Sequence, residues 1–170
     1  MQYPLNLFLN RWPERAEQEK LSTAFGDIAD ALSSQMHTSA GLVIKAGASA
    51  LAKAGTACYG TVRGAPFLIA ANTDMAALSG TVVNATFNVF AFDRNAAGTL
   101  TTTMGTAGAT YAAVVFPPKR REEVRIGYVI INPTGTGNFV GGTTALDDAT
   151  VAPNAVYVNL TGAFDPSFVR

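Results

Sequence analysis

Three chemically versatile residues occur once each in this chain: Cys58, His37 and Trp12. One cysteine excludes an intrachain disulfide framework. One histidine leaves no second imidazole to help build a metal site. Charge is scarce too, 14% of residues against the usual figure of about a quarter, and twelve bases cancel twelve acids. A nucleic-acid binder needs a clustered basic face to displace counterions, and none is present. The one basic run, Lys119-Arg120-Arg121, is followed at once by Glu122-Glu123 and neutralises itself. No apolar run approaches the roughly 20 residues that span a bilayer as a helix. The first residues also lack a basic segment leading into an apolar one. The expectation is a soluble protein made in a cytoplasm, with neither membrane nor nucleic acid as partner.

What the chain has instead is β patterning. Val83, Ala85, Phe87, Val89 and Ala91 alternate with Val82, Asn84, Thr86, Asn88, Phe90 and Phe92. Successive side chains on a strand point to opposite faces, so the pattern predicts one long strand over 81–92 with a wholly apolar face. Asp93–Gly98 then supplies turn residues, and Thr99–Thr103 returns as a β-branched strand. Further strands are expected near 42–45, 56–62, 66–70, 111–116, 124–132 and 156–160, separated by Gly, Pro and Asn turns. Within 124–132, Val124, Ile126, Tyr128 and Ile130 share one face and Val129 and Ile131 the other, which makes that strand central or interfacial. Short strands so punctuated predict a mainly β fold, a β-sandwich or jelly-roll-like barrel, over residues 40–170.

Residues 1–39 read differently, as an extended arm and one amphipathic helix that serve association and anchoring. Leu5, Leu7 and Leu9 alternate with Asn6, Phe8 and Asn10, and Pro4 and Pro13 bracket the run. With Trp12 they form an apolar arm that must be tied to something. Pro13 fits the first turn of a helix, and Glu14, Glu17 and Glu19 suit its positive end. Leu21, Phe25, Ile28 and Leu32 then recur at steps of four, three and four, an a/d stripe about two heptads long. The helix should end near Ser34 to His37. That stripe either packs on the β domain or self-associates around a symmetry axis.

Chemistry is hard to find. His37 and Cys58 lie 21 positions apart, and nothing local pairs them as base and nucleophile. Asp74, Asp93, Asp147 and Asp148 sit in turn contexts, where Asp is expected for its backbone hydrogen bonds. Asp147-Asp148 with Thr150 offers oxygens to calcium but lacks a spaced ligand loop. Gly135-Thr136-Gly137 and Gly141-Gly142 precede neither Gly-Lys-Ser/Thr nor a helix start, so they are not phosphate cradles. Tyr3, Trp12, Tyr111 and Tyr157 are the candidates for a sugar platform. The residues carry no catalytic signature, and no cofactor or metal is expected.

Four stretches carry a resemblance: Ala50–Gly55, Thr73–Gly80, Arg125–Asn132 and Asn138–Asp147. Together, over roughly residues 42–160, the chain resembles small structural proteins of tailed bacteriophages, of the capsid decoration (cement) or head-fibre kind. The resemblance implies a β-rich, commonly trimeric, non-enzymatic subunit. It would bind the major capsid protein on the outside of the shell, after assembly in the bacterial cytoplasm. Two rivals stay open: a receptor- or carbohydrate-binding module of a phage fibre or tail, and a β-sandwich lyase or esterase.

Overall fold

Short β-branched and aromatic runs broken by turn residues leave little for long helices, and the computed structural model is mainly β. It describes residues 15–162. In chain order come helix α1 (Arg15–Ser33), then strands β1 (Gln35–Met36), β2 (Leu42–Ile44), β3 (Ala52–Ala54), β4 (Cys58–Val62), β5 (Ala65–Ile69), β6 (Thr81–Val82), β7 (Asn88–Asn95), β8 (Leu100–Met104), β9 (Glu123–Ile131), β10 (Phe139–Val140) and β11 (Val156–Asn159). Every strand pair is antiparallel.

The largest sheet has the order β11–β9–β7–β8, and three small sheets, β1–β4–β5, β2–β3 and β10–β6, supply the opposing layer. Residues of all four sheets meet in one apolar core, among them Met36, Leu42, Val62, Val82, Phe90, Phe92, Ile126, Val129 and Phe139. The other face of the large sheet is covered too. There Val89, Ala91, Val114, Tyr128 and Ile130 pack with Phe87, Phe116, Val158 and Leu160. The covering segment is the stretch after β8, held by single bridges from Phe87 to Gly108 and from Thr106 to Val115. A sheet buried on both faces has continuous apolar strands, and all nine residues of β9 are buried. The sandwich-like layering is the fold class that the alternation predicts.

Several expectations are corrected. The strand over 81–92 is broken, because Ala85 takes a φ of +60° and Thr86 N–H bonds Val83 O in a tight turn. Ala85 N–H donates to Pro133 O, which fixes that turn against the neighbouring loop. The reversal after β7 comes later than expected: Asp93 is within the strand, and Gly98, at φ +89°, makes the turn. The segment 111–116 is a 3₁₀ turn at Tyr111–Ala113 followed by one bridge, since its task is to cover a sheet rather than extend one. Helix α1 stops at Ser33, so His37 lies beyond β1 and not at the helix end.

The faces of β9 are also reassigned. Opposite β7 the register steps from Phe92↔Gly127 to Asp93↔Arg125, leaving Ile126 as the extra residue of a β-bulge. The bulge changes the phase: Val124, Ile126, Val129 and Ile131 face the main core, while Tyr128 and Ile130 face the second cluster. Gly127 stands at that step because a Cβ there would meet Val158 O and approach Leu42 Cδ1 to 2.6 Å.

Candidate interaction face and the buried ion pair

Helix α1 leaves the β unit at its C-terminal end. Gly64 N–H bonds Ser33 O at 2.8 Å, Arg63 N–H bonds Ser34 Oγ at 2.9 Å, and Lys119 Nζ donates to Ser34 O at 3.4 Å. Arg63 and Gly64 both have positive φ, +50° and +78°, as a two-residue I′ turn between β4 and β5 requires. The foot of the helix is thus bolted to the tip of a hairpin. Above the foot the helix stands clear of the β unit. Leu21, Phe25, Ile28 and Leu32 are 49%, 68%, 55% and 58% exposed, so the predicted stripe forms and nothing in the described chain covers it. In the described chain the stripe faces away from the β unit, which leaves self-association as the alternative taken up below. Leu5, Leu7, Leu9 and Trp12, the apolar teeth of the arm, lie outside the described residues.

A second exposed apolar pair escaped the sequence reading. Tyr59 and Leu68 are register partners on β4 and β5, 54% and 53% exposed on the outer face of the β1–β4–β5 sheet. The alternation of β4, with Cys58, Gly60 and Val62 turned inward and Tyr59 outward, was the available signal.

The remaining candidates for chemistry are dispersed. Cys58 is fully buried, and burial pushes its thiol up from the ordinary value. His37 is exposed, and its backbone N–H bonds Tyr59 O. Asp74 pairs with Lys45 at 2.5 Å on the surface. Asp147 accepts from Ala48 N–H with both carboxylate oxygens, and Asp148 Oδ1 accepts from Thr150 and Val151 N–H. These are the loop-holding roles that turn aspartates perform. Among the described residues no three of His, Cys, Asp and Glu come together as metal ligands. Tyr111 is exposed, whereas Tyr157 packs against the main core, and Tyr3 and Trp12 lie outside the described residues. A hollow of about 150 Å³ between β5 and the β7–β8 turn is lined by Leu68, Ile69, Ala70, Thr73, Arg94, Gly98 and Leu100. No carboxylate or imidazole faces it. Arg94 is held 4.1 Å over the Phe67 ring.

Asp93 is the exception among the aspartates. Its carboxylate takes a forked pair of hydrogen bonds from Arg125, Nε to Oδ1 at 2.8 Å and Nη2 to Oδ2 at 3.1 Å, with both side chains 1% exposed. Arg125 Nη1 also donates to Pro117 O at 2.7 Å and to Tyr128 Oη at 3.1 Å. Phe116 stacks edge-on to Tyr128 at 5.0 Å. The bulge at Ile126 is what turns Arg125 toward this group. Glu123 lies nearby, its carboxyl raised by burial and by Asp93 against the pull of Arg120 and Arg125. Through Asp93 on β7 and Pro117 O in the covering segment, Arg125 pins that segment to the sheet. Comparison with protein-family models, with curated proteins and with solved structures finds no match in any of the three.

Proposed function

We propose that this protein is a non-enzymatic virion structural protein that binds the outer surface of a tailed-phage capsid as a homotrimer and stabilises the shell. The observation that carries the reading is the uncovered stripe of α1, joined at its foot to a two-layered β unit. The largest contiguous apolar patch on a protein surface, typically a few hundred Å², is often a contact surface. The chain is poor in charge, so contacts made by Ala, Thr, Gly and Leu surfaces would be insensitive to salt. In this reading residues 1 to about 36 anchor and associate, and the β unit faces outward. A capsid offers three-fold positions that a cyclic trimer matches. Binding only the assembled shell would raise its stability by RT ln(1 + [L]/Kd).

The test is co-sedimentation of the purified protein with expanded empty capsids, with capsid melting followed in parallel. Saturable binding to capsids and a higher melting temperature are expected. Removing residues 1–12 should leave a folded β unit that no longer sediments with the shell. Full-length protein that stays in the supernatant would overturn the reading.

A further inference from the structure

We propose that α1 pairs with α1 of other copies in a parallel, in-register three-helix bundle, with Leu21, Phe25, Ile28 and Leu32 as its core layers. The stoichiometry rests on the homotrimer reading; the helix contact rests on α1 itself. A 19-residue helix that contains Gly26 and keeps the apolar stripe Leu21, Phe25, Ile28 and Leu32 about half exposed or more is marginal in water, because most helical stability comes from packing one face. The missing packing partner is therefore part of the structure.

The heptad pattern of α1 says what that partner is. Taking Phe25 and Leu32 as a and Leu21 and Ile28 as d, every charged residue from 18 to 33 (Glu19, Lys20, Asp27 and Asp30) falls at b, c or f. Over that span the e and g positions are Ser22, Ala24, Ala29 and Ala31, while in the first turn Arg15 falls at e and Glu17 at g. Two-stranded coiled coils place charges at e and g, where they choose the partner. Small uncharged residues there widen the apolar face and let more than one neighbour approach, and another copy of the same face brings no like charge against it. At roughly 150–250 Å² for a fully exposed large side chain, the four exposures amount to about 400 Å² per copy, and a bundle closed around its own axis would bury them together.

The foot gives the direction. In a parallel bundle three β4–β5 hairpins gather around its base, each carrying the exposed Tyr59–Leu68 pair. An antiparallel arrangement would separate them by the helix length, about 28 Å at 1.5 Å per residue.

The experiment uses the full chain without capsids. Light scattering should give three times the monomer mass, and Phe25→Asp should lower it about threefold while circular dichroism retains the β signal. Ala24→Glu and Ala29→Glu should do the same, whereas Thr23→Glu, at f, should not. Leu21→Cys and Leu32→Cys, each oxidised alone, should cross-link copies, since Cys58 is buried and equal positions meet only in a parallel register. Cross-linking of neither variant, or trimers that tolerate glutamate at 24 and 29, would overturn the bundle. A trimer that survives Phe25→Asp would overturn it while leaving the homotrimer, held by the β units, intact. A monomeric wild type would overturn bundle and homotrimer together, and capsid co-sedimentation would still be read separately.

Discussion

On α1 four large apolar side chains stand in water; on β9 a guanidinium and a carboxylate stand out of it. Both placements run against ordinary partitioning, in which apolar side chains are buried and charges exposed. The difference lies in what each element has for neighbours. Arg125 makes four hydrogen bonds inside the protein, to Asp93, Pro117 O and Tyr128 Oη. Leu21, Phe25, Ile28 and Leu32 stay about half exposed or more among the described residues. The buried charges Arg125 and Asp93 of the β unit are paired within one chain, whereas the stripe of α1 stays exposed among the described residues.

Breaking the β9 side of this contrast should have the largest effect. Arg125→Ala leaves the Asp93 carboxylate buried without its counter-ion, and such losses cost about 3–5 kcal/mol. Cys58, fully buried on the inner face of β4, is a convenient reporter, because its thiol reacts only when the unit opens. Labelling should accelerate by roughly two to three and a half powers of ten at about 1.4 kcal/mol per tenfold. A loss below about 1 kcal/mol would mean that water replaces the guanidinium and that the pair is not sealed.

Gly127→Ala comes next. Its Cβ would press on Leu42 Cδ1 and on Val158 O, a backbone atom of a paired strand, so overpacking of about 1–3 kcal/mol is expected. Urea unfolding of the purified variant measures it. A neutral result would show that β11 can slide away from β9 at the bulge.

How these two regions were read from sequence follows from the same contrast. The stripe on α1 is a local pattern, four residues at fixed steps on one helix, and it survives because no tertiary contact overrides it. The continuous apolar run of β9 was legible as a central strand for the same reason. Its faces were not legible, since a bulge is set by pairing with β7 and shifts the phase by one residue without changing composition. Asp93 looked like a turn residue because Asn95 and Gly98 follow it. Its partner Arg125 is 32 positions away, and no local signal links them. Ala85 and Ala48 adopt positive φ where only glycine or asparagine would have announced a turn. The strand over 81–92 therefore read as unbroken. The candidate face was legible on α1, whereas the Tyr59–Leu68 pair needed the register of the β4–β5 hairpin to become one patch.

Tyr157 sharpens the contrast from inside the β unit. Its hydroxyl is buried without a partner, and burial, then Asp147, pushes the phenol up to about 12. The fold thus favours the neutral phenol. That contribution is complete below the ordinary value of 10.0 and is lost as pH rises from there toward 12. Tyr157→Phe should therefore leave stability at neutral pH unchanged or raised by up to about 1 kcal/mol, since it removes an unpaired buried group. Melting followed from pH 8 to 12 should show the variant holding its stability further into alkali than the wild type. A clear loss at neutral pH would indicate that an ordered water satisfies the hydroxyl.

The smallest effect is expected on the helix. Phe25→Asp alters a side chain that is 68% exposed. Surface changes of this kind stay within about 0.5 kcal/mol. Cys58 labelling and the urea midpoint of the β unit should then match wild type within roughly twofold, at a protein concentration where the mass in solution has already fallen. The comparison depends on reading both quantities in one sample: association lost, β unit unmoved. If the β unit instead weakened by more than about 1 kcal/mol, the helix would be packing on it in solution. The stripe would then be core rather than contact surface, and the difference between α1 and β9 would disappear.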